Sequence, residues 1–117
     1  ENNIIALNDQ GVYYEIVEEG TGSEYPTLNS LVSMAYSGKV MNGNGSIFDS
    51  ATATNPLKRQ LFDLILGWRV GIPKFKKGGK GTLYIPSGYG YGVFGSGNAI
   101  PGNSILIFDV ELLDFTN

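Results

Sequence analysis

Asp49, a lone acid beside Phe48 at a strand end, is where acid–base chemistry would have to start in this sequence. The chain contains no histidine and no cysteine. That removes imidazole bases and Ser-His-Asp triads, imidazole metal sites, thiol nucleophiles, disulfides, zinc–thiolate sites and iron–sulfur clusters. Asp and Glu are the conventional acid–base groups that remain. Asp109 and Glu111 fall on the outward face of the last strand, and Glu18 and Glu19 flank a turn, so all four read as surface charge. Asp49 reads either as more of the same or as a partly buried hydrogen-bonding group.

Two further features could carry function. Residues 84–115 hold 6 of the 17 glycines and 3 of the 7 tyrosines, with Ile-Pro pairs at 85–86 and 100–101. This glycine-rich stretch follows a strand and leads into another strand, so it offers no helix N-terminus to a phosphate. The aromatic residues Tyr36, Phe48, Trp68, Tyr89, Tyr91 and Phe108 come from a strand, a strand end, a helix, the loop and the last strand. They read either as one shared core or as a cup between helix and sheet that takes a small apolar group or a peptide. The residue pattern by itself assigns no chemistry to that cup.

The elements that must position these groups follow from periodicity. Val32, Met34 and Tyr36 alternate with Ser33 and Ser37, the period of a half-buried strand. "NGNG" at 42–45 signals a hairpin, with "SIFDS" returning. Val12–Val17, "LKRQLF", "KGTLYIP" and "SILIFDVELLDF" complete the strands, the last with Leu106, Phe108, Val110 and Leu112 on one face. In "DLILGWRVGIPKF" the residues Leu64, Ile65, Trp68 and Ile72 recur at helical spacing, with Asp63 as N-cap and Pro73 ending a helix of two to three turns. Gly67 and Gly71 each cost such a helix about 1 kcal/mol relative to Ala. Residues 1–10 are patternless and read as a tail, leaving 11–117 as one domain. The expected fold is an antiparallel α+β domain of five to six strands, its sheet wrapping one short helix.

Composition agrees with a folded domain: 117 residues, 42% hydrophobic and 16% charged, with a net charge of −3. That charge argues against nucleic acid, and "KFKKGGK" (Lys74, Lys76, Lys77, Lys80) reads as a solvated turn. No apolar run reaches the ~18 residues of a membrane helix. A first residue of Glu1 rather than Met leads to the expectation of a mature or trimmed product.

The ordered set "AYSG", "FDS", "NPL", "DLILGW", "LYIP", "YGYG" and "IPGNSILIFDVEL" resembles the FKBP-type peptidyl-prolyl cis-trans isomerases, from about Gly11 to Leu113. The resemblance implies a half-barrel around a short helix, no cofactor and no metal. It also implies that Tyr36, Phe48, Asp49, Leu64, Ile65, Trp68, Tyr91, Ile100 and Phe108 line a proline pocket. Leu57 falls where the family has an aromatic or branched residue, and Asp63 where it often has Glu or Gln. The glycine-rich loop becomes a flap, with Tyr91 and Ile100 touching ligand and Pro101 fixing re-entry into the sheet. Rotation about a prolyl bond crosses a barrier of about 18–20 kcal/mol set by amide resonance. It needs no proton transfer, so an apolar pocket that favours the less polar twisted amide is enough.

By the same resemblance, the Ile65 N–H and the Tyr91 hydroxyl would each hold a substrate carbonyl. Asp49 would orient the tyrosine or polarise the carbonyl's surroundings. Substrates are proline-containing polypeptides and inhibitors are macrolides. A monomer in the bacterial cell envelope, periplasmic or lipid-anchored, is expected to assist protein folding, with the cytoplasm left open. A non-catalytic proline-peptide-binding or chaperone module is the alternative. The chain departs from the family pattern in several places. Thr54 stands where many members carry an arginine that pairs with the Asp of the Phe-Asp pair, and Ala99 replaces a larger apolar residue. Arg59 stands where a buried aromatic is common, Pro73 lies in the helix, and the loop "KVMNGNGSI" is longer than in compact members.

Overall fold

The computed structural model describes residues 4–6, 12–41, 47–86 and 105–116. They form β1 (Ile4–Ala6), β2 (Tyr13–Glu18), β3 (Leu31–Val40), β4 (Ile47–Ala51), β5 (Leu57–Gln60), α1 (Leu66–Gly71), β6 (Lys80–Ile85) and β7 (Leu106–Thr116). Two 3₁₀ turns, Leu61–Asp63 and Ile72–Lys74, flank α1. All strand pairs are antiparallel, in the order β1-β2-β6-β7-β3-β4 with β5 also on β3. Among the described residues the sheet does not close into a barrel.

Six of these strands match the sequence expectation, and β1 is additional. It lies inside the segment read as a tail, where Ile4–Ala6 pairs with Glu15–Tyr13. A strand of three residues is too short to display an alternating period, and only its neighbour defines it. The "NGNG" turn between β3 and β4 lies outside the described residues.

The long strand β3 organises the sheet. One edge pairs with β7 from Leu31↔Thr116 to Val40↔Leu106. The other edge is divided: Leu31–Met34 pairs with β5, and Tyr36–Lys39 pairs with β4. The concave face carries the core. Val32, Met34, Leu83, Ile85, Leu106 and Leu112 are fully buried, as are Leu61 and Ile72 from the turns beside α1. Full burial of such a side chain stabilises by about 1.5–3 kcal/mol, so the strand alternation seen in the sequence marks where most of the stability resides.

The helix differs from its expectation. Leu64 (ψ 171°) and Ile65 (ψ 156°) are extended, so the 3₁₀ turn and the α-helix are separate pieces. The N-cap of α1 is Ile65 rather than Asp63, with no side-chain cap, and the helix has only 6 residues. Asp63 ends the preceding turn, and an extended residue pair stands between it and the helix. Pro73 sits in the first positions of the second 3₁₀ turn, where its missing N–H costs no helical bond. The two helix glycines have a packing reason. A Cβ on Gly67 would lie 2.5 Å from Ile85 Cδ1, and one on Gly71 would lie 2.6 Å from Leu83 Cδ2. Their propensity cost is what lets α1 lie directly on β6.

On the convex face, Glu15, Thr82, Asp109 and Ser37 form one row across four strands, with Thr82 Oγ1 donating to Asp109 Oδ1 at 3.0 Å. Tyr84 lies beside this row. Burial first, then the negative charges of Glu15 and Asp109, raise its hydroxyl pKa above the ordinary 10.0. A raised folded-state pKa favours the neutral phenol, so this contribution to stability is complete below the unfolded value. It is lost as pH rises through the folded value. The unfolding midpoint in urea should therefore fall as pH rises above about 10, and Tyr84→Phe should fall less steeply than the parent. Parallel curves would show that Tyr84 contributes nothing to the alkaline decline.

Candidate active site

The divided edge of β3 creates the site. Between Met34, paired with Leu57 of β5, and Tyr36, paired with Ala51 of β4, the neighbouring strand changes and a seam opens. The cavity at this seam is lined by Tyr36, Asp49, Leu57, Leu64, Ile65, Trp68 and Phe108, and its volume is about 70 Å³.

A bulge sets the neighbouring pair. Gly38 opposes Asp49 and Lys39 opposes Ile47, which leaves Phe48 as the extra residue in β4. In a regular strand, neighbours point to opposite faces; a bulge re-aims them. Phe48 packs against Phe108 with ring centroids 5.6 Å apart at 82°, while the Asp49 carboxylate meets Tyr36. The Tyr36 hydroxyl donates to Asp49 Oδ2 at 2.8 Å. Gly38 makes the approach possible, because a Cβ there would lie 2.6 Å from Phe108 Cε1 and 2.9 Å from Phe48 Cζ.

Trp68 is central to the aromatic group. It stands edge-to-face to Tyr36 (4.9 Å, 88°) and to Phe108 (5.2 Å, 88°). Tyr36 and Phe108 are themselves 6.1 Å apart, tilted at 58°. Edge-to-face pairs add about 0.5–1.5 kcal/mol each beyond their burial, and they also hold the rings at fixed angles. The Trp68 Nε1–H is buried with no nitrogen or oxygen acceptor among the described residues.

The Leu64–Ile65 segment forms one side. The Ile65 carbonyl accepts from the N–H groups of Trp68 (3.0 Å) and Arg69 (3.2 Å). Among the described residues, the Ile65 N–H has no acceptor. Arg69 Nε donates to the Leu64 carbonyl at 2.8 Å. This contact had no signal in the sequence, since a side chain reaching five residues back to the main chain follows no helical spacing.

The structure thus brings together Tyr36, Asp49, Leu57, Leu64, Ile65, Trp68 and Phe108. Phe48 is set behind Phe108 and does not line the described cavity, and Asp63 is exposed at the end of its turn. Tyr91, Ile100, Pro101, Ala99 and the glycine-rich flap lie outside the described residues. Asp49 has the Tyr36 hydroxyl and no cation among the described residues. Thr54, in the place of the family's arginine, lies 3.2 Å from Thr52 Oγ1 through its own hydroxyl. No group of acidic side chains among the described residues could hold a metal ion.

An apolar aromatic cleft bearing an orphan amide and no nucleophile is what the sequence resemblance implies. Comparison with known proteins decides the family. Residues 22–113 match the family model described as "FKBP-type peptidyl-prolyl cis-trans isomerase". The chain belongs to that family. It is 43% identical over 114 residues to the FKBP-type peptidyl-prolyl cis-trans isomerase FkpA of Buchnera aphidicola, covering 97% of this chain and 44% of that one. It is 40% identical over 110 residues to FK506-binding protein 1A of Aspergillus fumigatus, covering 92% and 96%. The crystal structure of FkpA from Escherichia coli superposes with a TM-score of 0.88 at 39% identity, over 99% of this chain and 53% of that one. The chain therefore spans about half the length of the FkpA relatives and nearly the whole of the fungal protein. Its FKBP fold is the half-barrel expected from the sequence. No helix among the described residues is long and apolar enough to cross a membrane, which says nothing of β-barrels.

Proposed function

We propose that this FKBP domain accelerates rotation about Xaa-Pro bonds in polypeptides by noncovalent stabilisation of the twisted amide. The observation that carries this is the aromatic cavity floored by Trp68, with the Ile65 N–H, which has no acceptor among the described residues, at its side. The proline ring seats on Trp68 between Tyr36 and Phe108, with Leu57 and Leu64 completing the apolar wall. The planar amide is the more polar state, so this wall disfavours it more than the twisted one. The Ile65 N–H donates to a substrate carbonyl, and its free donor makes that bond without giving up another. Asp49, through its bond from the Tyr36 hydroxyl, fixes the tyrosine ring against Trp68. By the family resemblance, Tyr91 would hold a second carbonyl and Ile100 would touch ligand.

The same reading makes proline-containing polypeptides the substrates and macrolides the inhibitors, and has the domain act as a monomer assisting protein folding. We propose the bacterial cell envelope as its compartment, on the resemblance to bacterial envelope members of the family. The test is direct exchange of a proline tetrapeptide of the Ala-Leu-Pro-Phe type, followed by NMR without a coupling protease. Acceleration over buffer that saturates with peptide supports the reading. Saturable binding without acceleration overturns catalysis and leaves a proline-binding module.

A further inference from the structure

We propose that Arg69 is a positioning residue for the Ile65 N–H, acting through the Leu64 carbonyl. The inference rests on the function proposed above and adds a residue to it. The Leu64 carbonyl and the Ile65 N–H belong to one peptide group. A trans peptide is planar, with its C=O and N–H pointing in opposite directions. Whatever fixes the carbonyl therefore aims the amide hydrogen. The Arg69 Nε–H fixes it, at 2.8 Å, and no other donor to this carbonyl is present among the described residues.

Arg69 holds the segment twice. Its own main-chain N–H donates to the Ile65 carbonyl at 3.2 Å while its side chain takes the carbonyl one residue earlier. Leu64 and Ile65 are both extended, and the peptide group between them lies outside the helical ladder, although the Leu64 N–H and the Ile65 carbonyl are bonded within the flanking turn and helix. A guanidinium supplies what the ladder does not. Arg69 is half-buried and has no carboxylate partner among the described residues, so its charge is not neutralised by a neighbouring acid. A charge-assisted bond to a carbonyl polarises that peptide group, and the N–H on its other side becomes a stronger donor. Arg69 thus sets both the direction and the strength of the amide offered to substrate. The neighbouring cations Lys74, Lys76 and Lys77 make no corresponding contact to Leu64 or Ile65 among the described residues.

The test compares Arg69→Met, which keeps the aliphatic stem and removes the donor and charge, with Arg69→Lys, which keeps a cation. The first readout is the Ile65 amide resonance in the substrate-free protein. It should move upfield in Arg69→Met, with the amides of Val32 and Leu112 in the core unchanged, and return part of the way in Arg69→Lys. The second is peptide isomerisation, where kcat/KM should fall about three- to tenfold in Arg69→Met and partly recover in Arg69→Lys.

An Ile65 amide that stays in place overturns the proposal. So does one that moves together with the core amides, because that describes a structural residue only. If Arg69→Met does not fold, the shift of the Ile65 amide in Arg69→Lys against the parent decides in the same way. If the parent itself fails to accelerate exchange, the function proposed above falls, while the amide readout still decides whether Arg69 sets this peptide group.

Discussion

Trp68→Ala should abolish most of the isomerase activity, lowering kcat/KM at least ~100-fold, equivalent to about 2.7 kcal/mol. It should also destabilise the fold by about 3–5 kcal/mol. Both effects have one cause. Trp68 is 2% exposed and touches two rings at near-perpendicular angles, so its loss opens a void that Tyr36 and Phe108 cannot fill without turning. The proline seat then loses its floor, and its remaining walls lose their fixed angle. Activity should be read well below the melting temperature of the variant, with Trp68→Phe alongside. Trp68→Phe restores an aromatic floor and should recover a large part of the rate. If Trp68→Ala stays folded and keeps kcat/KM within threefold of the parent, the reaction does not take place at this cavity.

Gly38→Ala should damage both stability and activity. The new Cβ would lie 2.6 Å from Phe108 and 2.9 Å from Phe48. Neither ring can retreat freely, because Phe48 leans on Phe108 and Phe108 on Trp68. Overpacking of this kind costs about 1–3 kcal/mol, and here the displaced ring is a wall of the cavity. Urea unfolding should report the stability loss, and kcat/KM should fall with it although residue 38 does not line the cavity. An unchanged unfolding midpoint would mean that the bulge at Phe48 relaxes to absorb the methyl.

What the sequence could and could not reveal follows from the range of each signal. Alternation marked β3, β6 and β7 because each buries one face over several successive alternate positions. The identity of the site residues came from the order of short motifs, and the structure gathers Tyr36, Asp49, Leu57, Leu64, Ile65, Trp68 and Phe108 around one cavity. The helix starts after Ile65 and not after Asp63, where the local cues put it. A capping side chain and helical spacing are local cues, whereas the extended Leu64–Ile65 pair is held by the Arg69 side chain and by packing against the core. The bulge at Phe48 was equally hidden, since it exists only in the register between β3 and β4. The third strand's divided edge, which opens the cavity, is a property of three strands at once.

The pairing of β3 with β7 has a consequence for the protein's own synthesis. Phe108, one wall of the cavity, belongs to a strand whose partner is Leu31–Val40, so the two meet only across most of the chain. Contacts this distant in sequence form late and slowly. During translation, the ribosome must release Leu106–Thr116 before Trp68, Tyr36 and Phe108 can assemble. A nascent chain halted before that strand would carry the helix and most of the sheet without a proline seat. The cavity cannot exist until that strand has left the exit tunnel.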